Sequence, residues 1–229
     1  PKAAVHVTVR WIGLFLIAAI SFLAGSPSVE ANTMVGGQIT SNTTWTLAGS
    51  PYLLTSDVTV IAGVVLTIEP GVEVLLNSRY HDLIIQGTLV AAGTPAAPIR
   101  LRCDSTTEWG GKVHLTNTSR NSVLDYVQVI RLGSHSSWAD YALQLDTSSA
   151  TVTNCIVHDS HYYGLRIGDN ASPTVANCQI TQSGNHGIWL GRGAWPTISG
   201  NLIADSGGYG LHSQYDDSRP LVIGNTFTG

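Results

Sequence analysis

Charge is what this sequence has least of. Asp, Glu, Lys and Arg make up 11% of its 229 residues, under half of the quarter or so usual in soluble domains. Only 11 residues are Lys or Arg, against 15 Asp or Glu. No basic patch exists to displace counterions from a phosphate backbone, which excludes nucleic acid as a partner. Leucine frameworks and long helix-forming stretches are missing as well, which excludes leucine-rich repeats. What remains is 43% hydrophobic with 24 Gly. Its surface must be built from Ser, Thr, Asn, Gln and Gly, a balance that suits an exported β-protein.

One long apolar run is present. Lys2 and Arg10 precede "WIGLFLIAAISFLAG", followed by Pro27 and the small-x-small triplet Val29-Glu30-Ala31, the pattern of a signal-peptidase site. An uncleaved anchor is the alternative, since no charge interrupts Trp11 to Val29. Ser21, Gly25 and Pro27 shorten the strongly apolar part below the roughly 20 residues needed to span a bilayer. The expectation is a signal peptide over residues 1–31 whose start is truncated, since no initiator Met is present. After cleavage the protein is expected to be secreted or at the cell surface, with no membrane contact. Removing Lys2, Arg10 and Glu30 leaves 9 basic and 14 acidic residues, a net charge of −5.

A repeat organises the rest. Val152, Val175, Ile198 and Val222 recur at spacings of 23, 23 and 24. Cys155, Cys178, Asn201 and Asn225 keep the same step, as do Ser160, Ser183 and Ser206, and Gly164, Gly187 and Gly210. The runs between are short, rich in Val, Ile and Thr, and punctuated by Gly, Asn, Ser and Pro, so they are strands and turns. A fixed period in the twenties signals a solenoid. The fold class predicted is all-β: a right-handed parallel β-helix of about 23 residues per coil, three short strands to a coil, stacked about 4.8 Å apart. Asparagines in one column would bond amide to amide, with Cys155 and Cys178 replacing them upstream; the serine column is expected to ladder similarly. Upstream, Val123 is aligned with Val152, with an insertion around "GSHSSWADY", and Ala142-Leu143-Gln144-Leu145 with Gly164-Leu165-Arg166-Ile167. Residues 32–56 are expected to cap the helix and 57–229 to form it. Gly229 falls inside an unfinished coil, so the helix is expected to continue past it.

These residues carry a family resemblance. "VTVIAGVVLTIEPGVEV", then "LIIQGTLVAAGTPAAPIRL" and the later N-x-I and G-I-x-L coils resemble exported bacterial right-handed parallel β-helix proteins of the pectin-lyase-like superfamily, over roughly residues 57–229. The resemblance implies the fold; the superfamily spans lyases, hydrolases, epimerases, adhesins and surface proteins, so it implies no single reaction. Pectate lyases imply a Ca2+-binding acidic cluster with an arginine. Asp216-Asp217 is the only acidic pair and sits in a turn, where solvated carboxylates weigh against a metal site. Polygalacturonases imply aspartates, then a histidine between glycines, then an arginine-isoleucine-lysine strand. Here "NHG" (185–187) follows "RIG" (166–168), the lysine is missing and the aspartates come last, so no catalytic role carries over. Cys155 and Cys178 are either a disulfide or stacked free thiols, the parallel side chains disfavouring the bond.

One outward feature stands out. Leu165, Ile188 and Leu211 point inward, which turns Arg166, Trp189 and His212 outward, with Gln144 extending that column upstream. Across the glycines lie Tyr163, His186 and Tyr209. Such a strip resembles a sugar-binding groove, aromatic faces covering sugar faces while polar groups take hydroxyls. The plainer alternative is a mixed solenoid surface with Trp189 packed under a loop. Two functions follow. One is a non-catalytic exported module that binds extended polysaccharide or serves as a surface or adhesion scaffold, with no cofactor. The other is a lyase or glycoside hydrolase on acidic polysaccharide, for which Ca2+ would be the cofactor, with decisive residues partly outside this sequence.

Overall fold

The computed structural model describes residues 32–133, 140–147 and 150–229. The signal peptide expected at 1–31 and the middle of the insertion, residues 134–139, lie outside the described residues.

Strands of three to nine residues wind into a parallel β-solenoid of about eight turns, with one short 3-10 turn, Leu47–Gly49, as the helical element among the described residues. Three faces result. The first face stacks Leu83–Ile85, Val113–Leu115, Tyr141–Leu145, Tyr163–Ile167, Ile188–Leu190 and Leu211–Ser213. The second runs from Glu73–Leu75 to Thr226–Thr228, and the third from Thr43–Trp45 to Leu221–Ile223. The long strand Tyr52–Val60 bends from the second face into the first, pairing with Glu73–Leu75 by its start and Leu83–Ile85 by its end.

Like residues pile on like. On the third face Val152, Val175, Ile198 and Val222 are successive partners, as the period predicts. The column continues upstream through Leu124, Ala91 and Ile68 to Trp45. Trp45 stacks on Tyr52 at 4.9 Å, covering the end of the interior. At the other end the column opens, Val222 being 39% exposed. Each buried Leu, Ile or Val contributes about 1.5–3 kcal/mol, against about 0–1 for a surface ion pair. These columns therefore hold the coils together; the ion pairs do not.

The alignment of Val123 with Val152 is off by one: Leu124 pairs with Val152, and Val123 with Thr151. Two adjacent aliphatics made either register plausible. The marker that would have decided, an Asn-Cys step, is Tyr126-Val127 in that coil, although Tyr126 keeps the left-handed backbone that Asn154 and Asn177 have at the corner.

The amide column behaves as expected, in detail. Asn201 Oδ1 accepts the Cys178 N–H at 2.8 Å, and its Nδ2 donates to Val175 O and Asn225 Oδ1. Cys178 does the same job one coil earlier: its Sγ accepts the Cys155 N–H at 3.4 Å and donates to Val152 O at 3.6 Å. All three cysteines are free and buried, so the thiol stack, not the disulfide, is what forms. Contact with Cys178, then burial, pushes the Cys155 thiol well above its ordinary pKa, which keeps it an inert donor.

The serine column does not ladder. Ser160, Ser183 and Ser206 Oγ are buried without a hydrogen-bond partner among the described residues. Their role is space. A Cβ on Gly164 would meet Ser183 Oγ at 2.7 Å, and one on Gly187 would meet Ser206 Oγ at 3.0 Å. Serine and glycine share one narrow corner, where a larger pair would not fit.

Candidate functional site

The first face carries the outward columns. Register places Gln144, Arg166, Trp189 and His212 in one row, and His114 precedes Gln144 in it. Beside it, Tyr163, His186 and Tyr209 stack at 5.3 Å per step with interplanar angles of 22° and 23°, and Tyr141 extends the stack upstream at 5.3 Å and 19°. All the residues expected from the sequence are thus brought to one face.

Their disposition differs from an open groove in two ways. First, the glycines do not floor a channel. A Cβ at Gly164 or Gly187 would strike the core atoms Ile180 Cγ2 and Ile203 Cγ2, so these residues face inward. The rows close over the strip, with His186 and His212 ring centroids 4.3 Å apart. Second, ring faces are turned to one another. Near-parallel rings 5.3 Å apart are too close to lie side by side in one plane, so each overlaps its neighbour. What the stack offers outward is edges: phenol hydroxyls and imidazole nitrogens, one per coil. Burial first, and then Tyr162, push the Tyr163 phenol up to about 12, so that hydroxyl stays protonated and can donate.

Trp189 is half-buried, with Arg166 Cζ 5.2 Å over its ring and Tyr215 edge-on at 6.3 Å. Arg166 also lies 5.2 Å from the Tyr141 ring, and its Nη1 donates to Asp146 Oδ1 at 2.6 Å. A guanidinium so placed is already neutralised, which weakens it as a uronate clamp. Gln144 is 8% exposed and donates to Asp146 Oδ2 at 2.7 Å. It therefore positions Asp146 and is not free for a ligand.

Asp146, His114, Tyr141 and Trp195 were not singled out from the sequence. His114 Nε2 lies 2.8 Å from Asp146 Oδ2. Burial pushes the Asp146 carboxyl up, but His114, Arg166 and Gln144 outweigh it and hold its pKa below the ordinary value. The ionised carboxylate therefore accepts from Nε2–H and fixes the orientation of the imidazole. Gly168 makes the room, since a Cβ there would fall on Asp146 Oδ1. His114, Asp146 and Arg166, with Gln86, Thr116 and Asp169, line an open cleft of about 670 Å3 at the edge of the first face. A signal for Asp146 did exist: it occupies the column position of Gly168, one place after the aligned Leu145 and Ile167.

Asp216 and Asp217 lie in a turn, where Asp217 Oδ1 accepts the Gly193 N–H at 3.0 Å. Among the described residues no group of three or more His, Cys, Asp or Glu is placed to hold a metal ion. No helix among them is long and apolar enough to cross a membrane.

Fold and columns together define a right-handed β-helix repeat protein. Residues 141–229 match the family model described as "Right handed beta helix region". Over 86 residues, 36% of this chain, the sequence is 42% identical to Protein bark beetle of Drosophila melanogaster. The matched segment spans 3% of that protein's length. No solved structure matches the chain significantly.

Proposed function

We propose that this chain is an exported or cell-surface β-helix module that binds an extended, hydroxyl-rich glycan along its first face, as a surface or adhesion element without catalysis. One observation carries the reading: Tyr141, Tyr163, His186 and Tyr209 repeat at 5.3 Å per coil, an advance close to one sugar residue, so a chain lying along the axis meets a polar ring edge at each step. Arg166, Trp189 and His212 form the parallel rail. Because Asp146 already meets the Arg166 charge at 2.6 Å, a neutral glycan fits this face better than a uronate. The apolar leader over residues 1–31 and the scarcity of charge support export. Kinship with exported bacterial proteins of the pectin-lyase-like superfamily is part of the same proposal and rests on the resemblance over residues 57–229.

Calorimetric titration of neutral oligosaccharides and oligouronates against the wild type and a Tyr163→Phe/Tyr209→Phe double variant tests it. The double variant keeps the stack and removes two hydroxyl edges. A neutral oligomer should bind the wild type and lose roughly tenfold or more in the variant, about 1.4 kcal/mol. Equal binding by both proteins, or binding of uronates alone, would sink the reading.

A second reading, a lyase or hydrolase of acidic polysaccharide, is favoured by the His114–Asp146 pair at 2.8 Å beside Arg166. A carboxylate-fixed imidazole in a cleft is the arrangement a general base needs. Release of unsaturated or reducing ends from pectate or alginate, abolished in His114→Ala, is the result that would establish it.

A further inference from the structure

We infer a second ligand site, separate from the first face: a sugar-sized cleft at the corner between the first and third faces, built on Trp195. It goes beyond the proposed function and stands even if the ring stack binds nothing. Trp189, the tryptophan singled out from the sequence, has its ring covered by Arg166 and Tyr215. Among the described residues Trp195 has only Arg219 over its ring, and it is 57% exposed. A large indole held in water is uncommon and gains from an apolar partner surface.

The scaffold fixes the backbone that carries the indole. Trp195 N–H donates to Ala171 O at 2.9 Å, and Arg219 N–H donates to Ala194 O at 2.9 Å, tying the loop after the last first-face strand to the coil. Arg219 Cζ lies over the Trp195 ring, 5.7 Å from its centroid, so the guanidinium sits on one face of the exposed indole. Asp217 lines the same cleft; its Oδ1 takes the Gly193 N–H, and Oδ2 has no partner among the described residues. Gly193 is required here, because a Cβ would meet Asn170 Oδ1 at 2.6 Å and its φ is +62°. Together with Ser172 these residues bound a cleft of about 480 Å3, inside the roughly 300–1,000 Å3 range of small-ligand sites.

The chemistry selects the ligand. An exposed indole with a carboxylate and a guanidinium lining the same cleft suits a pyranose, whose C–H face stacks while paired hydroxyls bridge the charged groups. One acid and one base leave the cleft without net charge, so it favours a neutral sugar over a uronate or phosphate. The loop 214–219 also brings Tyr215 against Trp189, which sets this cleft beside the ring stack without merging the two.

The test uses the full chain and methyl glycosides of glucose, galactose, mannose and N-acetylglucosamine, with methyl glucuronide as the charged control. Tryptophan fluorescence and saturation-transfer NMR report binding. At least one neutral glycoside should bind, and its affinity should fall by roughly tenfold or more in Trp195→Ala, the scale of an anchor residue, and also fall in Asp217→Ala. It should stay near the wild-type value in Trp195→Phe and in Gln179→Ala, a change at an exposed residue of the second face. The inference is overturned if no neutral glycoside binds, if Trp195→Ala binds as the wild type does, or if glucuronide is preferred. Failure of the ring-stack reading shows instead in the tyrosine double variant, which leaves this cleft intact.

Discussion

Replacing Asn201 separates what the amide column does from what it merely occupies. Its side chain serves Cys178 N–H, Val175 O and Asn225 Oδ1, at 2.8, 3.0 and 2.8 Å, and is buried. Asn201→Ala leaves the Cys178 amide and the Val175 carbonyl without that partner in the interior, at about 1–3 kcal/mol each, so about 2–6 kcal/mol in all. Asn201→Cys should cost less than half of that, because Cys178 already takes an amide and reaches a carbonyl through sulfur at 3.4 and 3.6 Å. Unfolding of a solenoid need not be all-or-none. The decisive readout is therefore hydrogen exchange at the Cys178 amide, with urea unfolding beside it. Protection should drop sharply in the alanine variant and largely persist in the cysteine variant. Equal loss in both, or no loss in either, would refute the view that thiol and amide are interchangeable here.

Three further outcomes follow from the first face. Gly168→Ala should displace Asp146, since the new Cβ would overlap its Oδ1, and free Arg166; a shift of His114 ring resonances would report it, and unchanged spectra would contradict it. Asp146 has its folded pKa below the unfolded value of about 3.9, so its stabilisation is present above that pH and is lost as pH falls through the folded value; Asp146→Asn should remove this step from an acid titration. The folded pKa of His186 is lowered by burial and then by His212, and its Nδ1 accepts the Tyr209 N–H at 2.9 Å. Stability should therefore decline as pH falls from about 6.5 towards that lower value, with an NMR midpoint below 6.5; a midpoint at or above it would contradict the geometry.

Fold was more legible than site, for a physical reason. A solenoid writes its core into the sequence once per coil, so Val152, Val175 and Ile198 declare themselves by spacing alone. Spacing fails where a coil changes length: His114 is 30 residues before its partner Gln144, across the insertion. Outward direction was readable from the inward leucines, which is why Arg166, Trp189 and His212 fall in one row as expected. Ring orientation was not readable. Period tells which way a Cβ points, while χ angles and neighbouring coils decide whether an aromatic shows its face or its edge. The covered indole of Trp189 and the open one of Trp195 look alike in sequence. Each has an arginine over its ring, Arg166 or Arg219; the difference is made by Tyr141 and Tyr215, which flank Trp189 from distant parts of the chain.

The central claim is that the stacked edges of the first face meet an extended glycan. Oxidative footprinting of the full chain, with and without the neutral oligosaccharide that binds best by titration, tests it most directly. The account predicts joint protection of Tyr163, His186, Tyr209 and Trp189, with the second-face residues Gln128 and Gln179 unchanged. Protection absent from that row while the oligosaccharide is bound would contradict it.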